Sequence, residues 1–244
     1  MEHAFGLPMA ADDKTAILEA YYGALSIDGG FEGTCRMVLP DDLAGKRILD
    51  VECRNGKGAF ALAECAGADG FVLGVDHDAT AIARAREGAE AAWRRAGLPA
   101  SNMEFAVCYP EELQAAGVPA ASFDLVFCNC SMNLTYDLEE AFSSQFAVLV
   151  PGGRLLFDAT VASAPRDLDV LASARVVGNA VQASLFFDDL RALLMRIGFV
   201  EVERRDEGEV DYRQGARPDL RVPFIDLGEE AAFLRSVITA RKPG

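Results

Sequence analysis

Most of the chemistry open to this chain rests on its cysteines, two histidines and one short loop. The six cysteines are Cys35, Cys53, Cys65, Cys108, Cys128 and Cys130, with no CxxC pair among them. The start, Met1-Glu2-His3-Ala4-Phe5, has no basic region followed by an apolar one, so reduced thiols are expected rather than a disulfide framework. Zinc would need further ligands at close spacing, and His3 and His77 stand far apart, so no metal site is expected. The loop Val51-Glu52-Cys53-Arg54-Asn55-Gly56-Lys57-Gly58 follows a short apolar run, Arg47 to Glu52. In that position backbone N–H groups and a helix start can receive an anionic or nucleotide-like ligand. A Walker A loop does not fit, because Val51 stands where its first glycine belongs and Gly58, not Ser or Thr, follows Lys57. Nor can GxGxxG be drawn through this loop, which removes a nicotinamide dinucleotide, and the absence of GxSxG argues against a hydrolase.

The elements that must position this loop alternate regularly. Arg47 to Glu52, Phe71 to Asp76, Met103 to Val107, Phe123 to Asn129, Gly153 to Ala159, Val200 to Asp206 and Ala232 to Ala240 read as strands. Helices are predicted at Asp13 to Leu25, Ala59 to Ala66, Ala79 to Ala96, Glu111 to Ala116, Leu138 to Leu149 and Leu185 to Ile197. Such alternation argues for an α/β fold: a doubly wound, mainly parallel sheet with right-handed crossovers and ligands at the carboxyl ends of the strands. The last strand, reached after the polar stretch 207–230, is expected to run antiparallel. Residues 1–40 stand outside the alternation and read as an N-terminal helix and Gly-rich loop, a cap over the domain formed by 41–244.

Composition narrows the partners. The chain has 244 residues, of which 51% are hydrophobic and 25% charged, enough apolar material for its own core. With 23 Lys and Arg against 38 Asp and Glu the net charge is −15, which repels a phosphate backbone, so no nucleic acid is expected. No run of residues is apolar enough for a bilayer, so no membrane association and a cytoplasmic location are expected.

The loop and the strand after it resemble class I S-adenosylmethionine-dependent methyltransferases. Ile48-Leu49-Asp50-Val51-Glu52-Cys53-Arg54-Asn55-Gly56 occupies the place of the DxGxGxG motif, and Gly74-Val75-Asp76 that of the acidic end of the second strand. Pro151-Gly152-Gly153 and Ala240-Arg241-Lys242-Pro243 are further marks of the family. The resemblance implies a Rossmann-like seven-stranded sheet, S-adenosylmethionine as cofactor and a small-molecule acceptor. It places Asp50, Glu52, Arg54, Asn55 and Gly56 at the cofactor and gives Asp76 the ribose hydroxyls; the plainer role for Asp76 is a helix cap. His77 would stack or hydrogen-bond near the adenosine, unless it is a surface or capping residue. Tyr109 and Glu111 would border the adenine, unless they form a plain turn with a carboxylate at a helix start. Asn129, a polar residue ending an apolar strand, needs a hydrogen-bond partner, and its family position lies at the cofactor.

A narrower resemblance follows. Ser122 to Leu134, containing Asn129-Cys130-Ser131-Met132-Asn133-Leu134, is similar to the NCxxNL segment of arsenite methyltransferases, and Tyr21-Tyr22-Gly23 to their YYG. In that group three thiolates hold trivalent arsenic while its lone pair attacks the sulfonium methyl, as suits a soft ligand. Cys130 matches the NCxxNL cysteine, and Cys35 could match an earlier one. Cys128 would share a face with Cys130 in an extended strand, but it sits in an apolar run that reads as core.

Two departures stand out. No cysteine follows Cys130, so the third thiolate, expected near Val176 to Ala180, is missing. Glu52 and Arg54 replace the first two glycines of the loop, where glycine tolerates positive φ and lets a ligand approach the backbone. Their side chains could clasp the methionine end of the cofactor, Arg54 on its carboxylate and Glu52 on its ammonium, or pair with each other. The functional expectation is a small-molecule methyltransferase acting on a thiol or trivalent arsenical. The alternative is a catalytically silent, methyltransferase-like binding protein with weakened or lost cofactor binding.

Overall fold

Successive residues of a strand point to opposite faces of a sheet, and here both faces are covered. In β1 (Arg47–Val51), Ile48 packs with Leu62, Ala63, Ile82 and Ala85 on one side, while Leu49 and Val51 pack with Phe142, Leu190 and Leu194 on the other. The first group belongs to α2 (Lys57–Ala66) and α3 (Ala79–Arg95), the second to α4 (Leu138–Val148) and α6 (Phe187–Ile197). The computed structural model describes residues 14–25, 37–129, 132–176, 178–210 and 231–244.

The other strands are β2 (Phe71–Asp76), β3 (Met103–Val107), β4 (Phe123–Asn129), β5 (Leu149–Ala162), β6 (Val200–Glu209) and β7 (Phe233–Arg241). They form one seven-stranded sheet in the order β3-β2-β1-β4-β5-β7-β6. Strands β1 to β5 pair in parallel, and β7 runs antiparallel to both β5 and β6, as the sequence leads one to expect. The order reverses between β1 and β4, which opens a crevice above their carboxyl ends. An N-terminal helix, α1 (Lys14–Ala24), lies over those ends through Tyr21 and Tyr22.

Two elements differ from expectation. Glu111 to Ala116 forms turns rather than a helix. A single helical turn, Ala116 N–H to Glu112 O, is closed at once by Gly117 at φ 87° and by Val118 N–H reaching back to Leu113 O. Conversely, α5 (Leu168–Val176) is a helix that the apolar pattern does not announce, because only Leu171 and Ala174 of its nine residues are buried. Much of the 207–230 stretch, residues 211–230, lies outside the described residues, while 207–209 complete β6.

Candidate functional site

The turn after β1 keeps a glycine-type backbone without the glycines. Glu52 has φ 56°, Arg54 φ 52° and Gly56 φ 82°, so all three positions of the glycine motif are left-handed. For a residue with a Cβ that conformation costs about 1–2 kcal/mol. The cost is met by hydrogen bonds from the neighbouring strand. Cys53 N–H donates to Val75 O at 3.0 Å, Gly56 N–H to Cys53 O at 2.9 Å, and Arg54 N–H to Asp76 Oδ2 at 2.8 Å. Asp76 Oδ1 accepts Asp78 N–H at 2.9 Å, so the carboxylate ending β2 clamps both the loop and the start of the next connection. The cap of α3 is Asp78, whose side chain accepts Thr80 N–H. Asp76 is therefore not that cap.

Asp50 lies beneath the loop at 2% exposure and accepts the backbone N–H of Ala59 in the first turn of α2. A Cβ on Gly58 would come within 3.0 Å of Asp50 Oδ2, which is why this helix start needs a glycine. Burial, reinforced by the Asp76 charge, pushes the Asp50 carboxyl up to about 8. Asp50 thus supports the loop from inside rather than facing an open cleft.

The side chains of Glu52 and Arg54 diverge. Glu52 is turned inward, 8% exposed, with Oε1 3.8 Å from His77 Nδ1. Arg54 and Asn55 are exposed, and among the described residues Arg54 forms no ion pair, so of the two alternatives the Glu52–Arg54 pairing is not present. His77 is neither a cap nor a surface residue. Its ring stacks on Tyr22 of α1 at 4.4 Å between centroids and lies nearly parallel to Tyr109 at 6.4 Å, and burial lowers its pKa.

Glu111 has a role that sequence reasoning missed. Its Oε1 accepts the Tyr22 hydroxyl at 2.9 Å and the Asp137 N–H at 3.2 Å, which joins α1 to the entry of α4. Burial pushes this carboxyl up to about 7. A carboxylate at a helix start does not describe it, since no helix begins there. The adjacent Tyr21 hydroxyl donates to Leu134 O at 2.8 Å, fixing α1 to the NCxxNL segment as well.

Asn129 ends β4 opposite Asp158 of β5. Its Oδ1 is sealed from solvent, and no hydrogen-bond partner for it is found among the described residues. Asn133 is satisfied by contrast, its amide donating to Thr160 O, Ala180 O and Ser184 Oγ. Cys128 is wholly buried within the sheet, as expected of core. Cys53 and Cys108 are buried with their thiols pushed up, Cys108 to about 12, so neither supplies a ready thiolate. Cys35 and Cys130 lie outside the described residues. Among the described residues no cluster of His, Cys, Asp and Glu could hold a metal ion, and no helix is long and apolar enough to cross a membrane.

Two further residues bear on this region. Tyr22 was legible only through its place in Tyr-Tyr-Gly. Arg175, in α5, lies one residue before the stretch Val176 to Ala180, near which the third cysteine of the arsenite group is missing. A separate groove of about 560 Å³ between Asp42, Lys46, Arg154 and Arg241 opens at the opposite end of the sheet. That end holds the amino termini of the parallel strands, away from the loop described above.

Residues 42–185 match the family described as "Methyltransferase domain". An arsenite methyltransferase of Aquipseudomonas alcaligenes is 32% identical over 195 residues, 80% of this chain and 52% of that protein. The mouse arsenite methyltransferase is 29% identical over 165 residues, 68% of this chain and 44% of that protein. The crystal structure of an arsenic(III) S-adenosylmethionine methyltransferase from Chlamydomonas reinhardtii matches with a TM-score of 0.74 at 28% identity, covering 86% of this chain and 67% of that one. The chain spans about half the length of the curated relatives it matches.

Proposed function

The chain belongs to the methyltransferase-domain family, whose cofactor is S-adenosylmethionine, and from that premise we propose that it methylates a small, soft nucleophile, a thiol or a trivalent arsenical. The single observation that carries this reading is the clamped loop after β1, left-handed at Glu52, Arg54 and Gly56 and held to Asp76.

The residues present fit the cofactor. The backbone path of the glycine motif is kept although two glycines are gone, and Asn129 Oδ1 is a buried acceptor awaiting a donor. When bound, S-adenosylmethionine supplies an electrophilic methyl group. Asp76 fixes the loop that would receive the nucleoside, and Asn129 would accept one of its hydrogen bonds. Tyr22, His77 and Tyr109 form an aromatic wall that excludes water, which strengthens polar contacts inside. A thiolate or an arsenic lone pair needs no general base, so the protein's part is orientation and desolvation. Cys130, with Cys35, would hold the soft acceptor as thiolates; two ligands suffice for a monosubstituted trivalent arsenical.

A second reading, a methyltransferase-like binding protein with weakened cofactor affinity, is favoured by one observation, the Glu52 side chain lodged beside His77. Calorimetric titration of the reduced protein with S-adenosylmethionine and S-adenosylhomocysteine separates the two. The catalytic reading expects micromolar binding, about −8 kcal/mol, and methyl transfer to thiols or trivalent arsenicals that Cys130→Ser abolishes. No heat at millimolar cofactor overturns it in favour of the silent protein.

A further inference from the structure

A buried cation without a counter-ion is costly, and proteins keep one where something completes it. Arg175 is a half-buried case of such a group. Its Nε is sealed from solvent without an acceptor, and among the described residues Arg175 makes no hydrogen bond or ion pair. Asp137 acts on it only through space, and its Oδ1 accepts Glu140 N–H as the cap of α4. The Tyr21 and Tyr22 hydroxyls also act on the guanidinium through space, while their protons go to Leu134 O and Glu111 Oε1.

The position of this arginine is specific. The preceding residue, Ala174, is buried with Leu134, Ala180 and Ala183, so α5 packs on the segment that follows β4. Asn133 ties that same segment to Thr160 of β5 and to Ala180. The helix that carries Arg175 therefore packs on the segment after β4, and its guanidinium faces the charge of Asp137 and the hydroxyls of Tyr21 and Tyr22. Arginine is suited to this place because its planar fork stays charged when desolvated and receives an oxyanion through two parallel hydrogen bonds.

We propose that Arg175 is the receptor for a carboxylate carried by the methyl acceptor, so that this enzyme takes small anionic nucleophiles rather than neutral ones. The inference rests on the methyltransferase reading for the word acceptor, but the carboxylate site itself can be tested without turnover. At such a site selection falls on the charge of the acceptor as well as on its nucleophilic atom.

The test is calorimetric binding of 3-mercaptopropionate and of its uncharged counterpart 3-mercapto-1-propanol to the reduced protein, with and without S-adenosylhomocysteine. Wild type is expected to favour the carboxylate by about tenfold or more. Arg175→Met should erase that preference, keep S-adenosylhomocysteine affinity unchanged and leave the thermal midpoint equal or higher, since it removes an unpaired buried charge. Arg175→Lys, which retains the charge without the fork, should keep only part of the preference and gives the same reading if the Met variant does not fold. Equal binding of the two thiols by wild type overturns the proposal. So does a loss of S-adenosylhomocysteine affinity in Arg175→Met, which would assign the arginine to the cofactor's own carboxylate. A marked fall in thermal midpoint in both Arg175→Met and Arg175→Lys overturns it too, as the mark of a structural role. Failure of the methyltransferase reading shows separately, as wild type that binds no S-adenosylhomocysteine while the carboxylate preference is still measured.

Discussion

The backbone N–H of Arg54 donates to Asp76 Oδ2 at 2.8 Å, so the residue that replaces a loop glycine is held in place by the carboxylate at the end of the next strand. The cofactor loop survives the loss of two glycines because its conformation is imposed from β2.

Asp76→Asn should therefore weaken the fold as well as the cradle. An amide keeps one acceptor oxygen for two N–H donors, so one of the two charge-assisted bonds is lost, at a cost of about 1.5–3 kcal/mol. Urea unfolding monitored by circular dichroism should show the lower midpoint. An unchanged midpoint would mean that the clamp contributes nothing.

Glu52→Gly combined with Arg54→Gly should act in the other direction. Each replacement relieves a left-handed Cβ worth about 1–2 kcal/mol and adds about 0.5–1 kcal/mol of chain entropy to lose. The double variant should therefore unfold at higher urea and, with the inward Glu52 side chain gone, bind S-adenosylhomocysteine more tightly. Equal or weaker cofactor binding would sink the idea that Glu52 obstructs the pocket.

Stability should fall as pH rises from the acid side toward 8. Asp50 holds its proton in the folded state up to about 8, whereas the unfolded chain releases it near the ordinary carboxylate value of 3.8. Between those values the folded state binds more protons, so each step up in pH favours unfolding, and the loss is complete once pH passes the folded value. Glu111, at about 7, contributes in the same sense. Asp50→Asn should flatten this decline in a series of unfolding curves from pH 5 to 8.5, a range chosen to lie between about 4 and 9. A profile parallel to wild type would refute the assignment.

Tyr22→Phe removes the hydroxyl that donates to Glu111 and should loosen α1 by about 1–3 kcal/mol. That hydrogen bond also holds the Glu111 pKa down, so the variant should move it above about 7. Carboxyl chemical shifts followed through a titration report the pKa, and amide exchange in 14–24 reports the loosening. Unchanged exchange would show that the helix is held by ring packing alone.

Much of the site was legible because its signals are local. The alternation of apolar strands and helices around Asp50 to Gly56 and Gly74 to Asp76 placed the loop and the acid, and Asn129 at the end of an apolar strand announced an unmet hydrogen bond. The roles of Glu52 and Arg54 were not legible, because a backbone dihedral at a non-glycine position depends on hydrogen bonds from another strand. The helix expected at Glu111 to Ala116 failed for a similar reason: a positive φ at Gly117 closed the turn.

The sequence by itself determined the order of the elements and the position of the cofactor loop, since hydrophobic period and turn residues act over a few neighbours. Only the tertiary structure decided that Tyr22 meets Glu111 across 89 residues, that Asp76 clamps Arg54 across 22, and that Arg175 Nε is sealed without an acceptor among the described residues. These are relationships between side chains far apart in the chain, and their energies depend on burial, which exists only once the sheet and its two helical layers have closed around them.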